Sequence, residues 1–171
     1  KYMEYRICTD RIVAGTYLLA VVMAGGEVIL RNLPLDHMKS TIQTIGKLGA
    51  EVYRDNYDVR IKMKRFPQAI SYLCTAPYPG FPTDLQSPLL SVLCSAKEPS
   101  CIEERVFENR FLTVEELRKM GANICVIGQT AHITPIERLQ GSAVTARDLR
   151  GGAALVLAGL GAEGRTIVEN A

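Results

Sequence analysis

The chain has 171 residues, 47% hydrophobic and 22% charged, the make-up of a globular protein that buries roughly 70% of its unfolded surface. A net charge of +2, with no Trp and no basic, aromatic-interleaved patch, gives no electrostatic reason to expect nucleic-acid or membrane attraction. The longest uncharged run, Ile12 to Gly26, is interrupted by glycines and is shorter than the ~20 apolar residues of a membrane span. The opening residues KYMEYR form no signal peptide and include no initiator Met at position 1, so a piece of a longer protein is expected.

In chain order, a first unit starts at Asp10: DRIVAGTYLLAVVMAGGEVILRNL reads as a capped apolar helix, a glycine turn and a strand. Asp36 is then expected to cap HMKSTIQTIGKL, where Met38, Ile42, Ile45 and Leu48 share a face. Gly49 fits the position after that helix, and Ala50 to Tyr53 begins a strand. Next comes TAPYPGFPTDLQ, Thr75 to Gln86, which reads as a stiff extended loop because three prolines fix φ and remove donors. It delivers Thr83 and Asp84 to the apolar run Leu85 to Cys94. Asp84 has two readings here, an ordinary helix N-cap or a carboxylate held in one place for acid–base work.

The second unit, from Asp84, repeats the helix, turn and strand, and Thr113 with Glu116 forms a T-x-x-E capping box for TVEELRKM. Gly121 ends that helix and Ile124 to Ile127 is a strand. A third unit, DLRGGAALVLAGLGAEGRTIVEN, starts at Asp148 and stops after its first strand. Three copies of one alternating helix–strand unit, too small to bury a face alone, predict an α/β domain of repeats over about 10–74, 75–140 and 141–171, the last incomplete. Asp10, Asp84 and Asp148 are equivalents, so capping explains all three equally.

Three motifs carry possible chemistry. GLGAEG satisfies G-x-G-x-x-G at Gly159, Gly161 and Gly164, but a helix precedes it and a strand follows, the reverse of a dinucleotide site. In FENRF, Arg110 lies between two aromatics; it is either a stem packed on apolar surface with a solvated head, or a guanidinium fork for a carboxylate or phosphate. Arg150 falls in the first turn of the third unit's helix beside Gly151 and Gly152, where a cation opposes the helix dipole unless an anion joins it. The five cysteines are odd in number, scattered and without a CxxC pair, and the two histidines, His37 and His132, are far apart. Reduced structural thiols in a cytosolic protein, structural histidines and no metal site are expected.

With PGFPTDLQ, VFENRF, MGA and DLRGGAALVLAG in that order, the chain closely resembles the UDP-N-acetylglucosamine 1-carboxyvinyltransferases, the enolpyruvyl transferases of peptidoglycan synthesis and cell-wall biogenesis. The resemblance runs from about Asp10 to the end and covers less than half of a full-length member. It implies an inside-out α/β barrel of three repeated units, here most of one domain, with the second catalytic domain absent. It also implies a bacterial cytoplasmic enzyme without metal or organic cofactor, whose substrates are phosphoenolpyruvate and UDP-N-acetylglucosamine. By that resemblance Asp84 is the general base, Thr83, Val106 and Phe107 contact the UDP-sugar, and Arg110 and Arg150 bind the phosphoenolpyruvate carboxylate. The family's loop Cys or Asp matches none of the cysteines here, so the segment alone is expected to be inactive. The rival readings are a shikimate 3-phosphate enolpyruvyl transferase, a catalytically silent UDP-sugar-binding regulator, and an RNA 3′-phosphate cyclase of the same fold.

Overall fold

A computed structural model describes residues 2–4, 7–64 and 66–171. The elements run α1 (Arg11–Ala24), β1 (Gly26–Leu30), α2 (Lys39–Lys47), β2 (Glu51–Asp55), β3 (Asp58–Met63), β4 (Leu73–Cys74), α3 (Gln86–Leu93), β5 (Ser100–Glu103), α4 (Thr113–Lys119), β6 (Asn123–Ile127), β7 (Thr130–Thr134), β8 (Ala143–Thr145), α5 (Leu149–Gly161) and β9 (Ile167–Glu169). Short 3-10 turns over Leu35–Met38, Thr83–Leu85 and Arg110–Leu112 lead directly into α2, α3 and α4.

The apolar helices α1, α3 and α5 pack on one another at the centre. Every residue of α3 is buried, as expected of a helix without a polar stripe. Gly15 of α1 lies against Leu85 at the start of α3, and Gly161 at the end of α5 lies against Met23 at the end of α1. The three helices therefore run the same way, with their N-terminal ends together.

The sheets lie outside them. One has the order β1-β3-β2, all antiparallel, with Val28, Ile61 and Val52 in register. Another has the order β4-β5-β7-β6, in which β4 and β5 are parallel and the rest antiparallel. The third is the parallel pair β8-β9. Val59, Ile61 and Met63 of β3 face inward while Arg60 faces out, the period of a half-buried strand. The hairpins β2–β3 and β6–β7 turn through Asn56 and Gly128, both with positive φ, at the same place in two successive units.

Several local expectations hold. Asp10 caps α1, its Oδ1 accepting from the N–H of Ile12 at 2.7 Å and Val13 at 3.2 Å. Asp148 caps α5 the same way, accepting from Arg150 N–H and Gly151 N–H, both at 2.9 Å. The glycines of GLGAEG form a helix-to-strand passage, with α5 running through Gly159 and Gly161 before Gly164 turns the chain toward β9. His37 sits in the 3-10 turn before α2, and His132 lies on β7.

Other expectations fail, mostly for one reason. Where a 3-10 turn winds straight into a helix, the position before the helix is already coiled and a side chain there cannot reach back to cap. Asp36 lies inside such a turn, caps nothing, and pairs with Lys39 at 3.2 Å. Thr113 is the first residue of α4 and already helical, so no capping box forms with Glu116. Thr75–Gln86 is not extended: Ala76 N–H donates to Phe81 O at 3.0 Å and Gly80 N–H to Pro77 O at 2.8 Å, closing the segment into a compact turn. Ser40 on α2 pins that turn by donating to Gly80 O at 2.9 Å.

Glu116 is buried and ties α4 to the strand before α5, accepting from Lys119 Nζ at 2.7 Å and Thr145 N–H at 3.1 Å. The Lys119 ammonium, helped by the Thr145 amide, holds its carboxyl below the ordinary carboxylate range against the opposing effect of burial. A depressed carboxylate stabilises the fold above its unfolded pKa, and the gain is lost as the pH falls through its folded value. Glu116→Gln is thus expected to lower stability by about 1–2 kcal/mol at neutral pH. In thermal melts the gap from wild type should close as the pH is taken below about 4.

Candidate active site

The start of α3 is the one helix start of the central three that lacks an aspartate cap. Asp84 lies within the turn Thr83–Leu85, and no side chain makes a capping hydrogen bond to the start of that turn or of α3. The capping reading of Asp84 is therefore overturned, although Asp10 and Asp148 do cap. Asp84 Oδ1 instead accepts from Arg110 Nη2 at 3.3 Å and pairs with Arg150 Nε at 3.2 Å. Three of the residues singled out in the sequence, from three separate stretches of chain, meet at one oxygen atom.

The two arginines are held differently. Arg110 is only 8% exposed, so the solvated-head reading does not hold. Its guanidinium carbon stands 4.2 Å from the centre of the Phe107 ring, a cation–π stack. Asn109 at φ +60 makes the turn that aims it inward. Arg150 is 28% exposed and Asp84 38%, so the pair opens toward solvent. The conflict between a cation and the N-terminal end of α5 is resolved by Asp84, an anion of the protein itself.

Gly151 has a packing role: a Cβ there would stand 2.7 Å from Thr113 Oγ1, so the glycine lets α4 approach α5. Its N–H is taken by Asp148 and is not offered to a ligand.

The donors and acceptors do not balance. One carboxylate faces two guanidiniums, which leaves a net positive charge, and Arg110 Nε is buried without a partner. A forked cation with an idle donor, stacked on a ring, is suited to a planar anion. A hollow of about 410 Å³ beside it is lined by Phe107, Arg110, Phe111 and Gln129 among others. A larger hollow of about 940 Å³ lies past the far end of α3, around Lys97 and Arg138, and touches none of the expected site residues.

Thr83, Val106 and Phe107 rim the cluster, and a residue that the sequence reading missed connects them. Glu104, buried and 2% exposed, accepts from Thr83 Oγ1 at 2.9 Å and Thr75 Oγ1 at 2.7 Å. It also accepts from the N–H groups of Val106 at 2.8 Å and Phe107 at 2.9 Å. The amides of Val106 and Phe107 are thus committed, while their side chains are exposed. The signal was present: Ser100, Ile102 and Glu104 alternate in phase on the buried side, which puts a carboxylate where an apolar residue belongs.

The family model described as EPSP synthase (3-phosphoshikimate 1-carboxyvinyltransferase) matches residues 1–171. The chain belongs to that family. Among curated members of this enolpyruvyl transferase family, it is 46% identical over 168 residues to UDP-N-acetylglucosamine 1-carboxyvinyltransferase 2 of Caldanaerobacter subterraneus subsp. tengcongensis, covering 98% of this chain and 40% of that one. It is 45% identical over 170 residues to UDP-N-acetylglucosamine 1-carboxyvinyltransferase 1 of the same strain, covering 99% of this chain and 41% of that one. The crystal structure of the enolpyruvyl transferase NikO from Streptomyces tendae superposes with a TM-score of 0.84 at 24% identity, over 96% of this chain and 39% of that one, a likeness of fold. The fold is thus the α/β enolpyruvyl transferase fold, and the chain spans about two fifths of the length of these relatives.

Among the described residues, no three His, Cys, Asp or Glu side chains are grouped to hold a metal, and no helix is long and apolar enough to cross a membrane. Burial pushes the Cys94 thiol up to about 12, so it carries no thiolate near neutrality. Alkylation of the folded protein at about pH 8 is expected to modify the exposed Cys8 and Cys125 and to spare Cys94. Mass spectrometry of the peptides reads the outcome, and a modified Cys94 in folded protein would contradict this account.

Proposed function

We propose that these residues form one side of the active site of an enolpyruvyl transferase. It moves the enolpyruvyl group of phosphoenolpyruvate to the 3-hydroxyl of UDP-N-acetylglucosamine and releases phosphate, the first committed step of peptidoglycan synthesis. The observation that carries the reading is the Asp84 carboxylate held between Arg110 and Arg150 with one positive charge left over. The substrates are supported by the names of relatives at 45–46% identity.

On this reading the phosphoenolpyruvate carboxylate takes the free edges of Arg110 and Arg150. Asp84, relieved of part of its ion pairing, accepts the proton of the sugar hydroxyl as that oxygen bonds to the enolpyruvyl carbon. As that bond forms, the π pair of the enolpyruvyl double bond takes up a proton at the terminal carbon from an acid in the remainder of the site. Loss of that proton then re-forms the double bond as the carbon–oxygen bond to phosphate breaks, and phosphate leaves. The base and the anion-binding groups are neighbours by construction, so binding the donor also sets the base. Thr83 with the exposed side chains of Val106 and Phe107 would receive the sugar nucleotide. The cluster is open to solvent and the relatives are about two and a half times longer. The remainder of the site is assigned to a second domain, and the 171-residue segment alone is expected to release no phosphate.

A second reading, transfer to shikimate 3-phosphate, is favoured by the description of the matching family model. Full-length wild type offered both acceptors separates the two, with turnover expected only for the UDP-sugar. In the same assay Asp84→Ala and Asp84→Asn are each expected to lower kcat by at least about 100-fold. The Asn variant keeps an acceptor for Arg110, so its loss reports proton transfer and not an unpaired buried cation. Near wild-type kcat in both variants would remove the general-base role.

A further inference from the structure

Glu104 holds a buried carboxylate to which the proposed chemistry assigns no step, and among the described residues no cation pairs with it. Its two oxygens are loaded unequally. Oε1 accepts from Thr75 Oγ1 and from the N–H groups of Val106 and Phe107, and Oε2 accepts from Thr83 Oγ1. A carboxylate oxygen only accepts, so the protons of both threonine hydroxyls are committed to it.

The two threonines then differ in what remains. Thr75 Oγ1 also accepts from Arg105 N–H at 2.9 Å, which satisfies it on both sides. Thr83 Oγ1 receives no donor among the described residues, and it is half-buried next to Asp84. Its proton is turned inward and its lone pairs remain available.

We propose that Glu104 is a positioning residue that fixes the direction of the Thr83 hydroxyl, making Thr83 an acceptor-only group in the acceptor-substrate site. Such a group welcomes a ligand hydroxyl or amide N–H and is repelled by a phosphate oxygen, which offers only lone pairs. The acetamido sugar ring presents both kinds of donor, a hydroxyl and the amide N–H, so Thr83 would meet the sugar and not the diphosphate of the same molecule. This inference rests on the acceptor site proposed above and says which part of the acceptor Thr83 meets.

Glu104→Gln in the full-length enzyme is the test. Two of the three donors on Oε1 are backbone N–H groups that cannot reverse, so the amide oxygen takes that place. The NH2 group then faces Thr83, whose hydroxyl must accept from it and donate outward. The KM for UDP-N-acetylglucosamine is expected to rise about tenfold, with no matching rise for phosphoenolpyruvate. In a Thr83→Val background Glu104→Gln should add nothing to that KM, since the group through which it acts is gone.

An unchanged acceptor KM in Glu104→Gln, or an equal rise with and without the Thr83 hydroxyl, overturns the inference. Should Glu104→Gln fail to fold, Thr83→Ser against Thr83→Val carries the test: Val should raise the acceptor KM more than Ser, and equal increases overturn it. Wild type that releases no phosphate from the two substrates removes the acceptor site itself and this inference with it. Wild type that turns over while the cycle behaves additively removes this inference alone.

Discussion

A single carboxylate oxygen of Asp84 holds two guanidinium groups that approach from different parts of the chain. Arg110 arrives from the turn after β5 and Arg150 from the first turn of α5, and neither is near Asp84 in sequence. That meeting requires the N-terminal ends of α3 and α5 to lie side by side. Close packing at Gly15 and at Gly151 accompanies it, since a Cβ at either would stand too near the side chain of Leu85 or Thr113, which would have to move. Because Arg110 is buried, its charge needs a partner at all times, and Asp84 supplies one before any ligand arrives. The same contact leaves the cluster one anion short, the vacancy that the proposed function fills with a substrate carboxylate.

The repeat explains how such a site arises from an ordinary fold. Asp10 and Asp148 spend their carboxylates on the first amides of α1 and α5. At the equivalent point in the middle unit, the compact turn Thr75–Phe81 and the 3-10 turn after it shift Asp84 out of the cap and toward the arginines. Glu104 then binds that turn to the segment carrying Arg110, through hydroxyls on one side and amides on the other. The turn carrying Thr83 and Asp84 and the segment carrying Phe107 and Arg110 are thereby tied together.

Much of this was legible in the residues. The three Asp-led apolar helices, the glycines after α2 and α4 and the reversed order around GLGAEG all follow from local chemistry, and the structure agrees with them. What failed was the reading of side-chain destinations. Asp36, Asp84 and Thr113 all have the right identity for a cap, yet each sits in or just after a 3-10 turn, a backbone feature that leaves no mark on residue type. The extended reading of the proline loop failed because the hydrogen bonds that close it depend on φ and ψ and not on proline content. Arg110 could not be assigned without knowing how far the Phe107–Arg110 turn folds inward. Glu104 was visible only as a polar residue on the inward phase of a strand, and that phase becomes known once β5 is in register with β7.

The most direct test is a crystal structure of the full-length enzyme with UDP-N-acetylglucosamine and an unreactive phosphoenolpyruvate analogue. The account predicts the analogue's carboxylate on Arg110 and Arg150, with an Asp84 oxygen turned to the sugar 3-hydroxyl. An analogue bound elsewhere, with Asp84 still paired to both arginines and no contact to the hydroxyl, would contradict it.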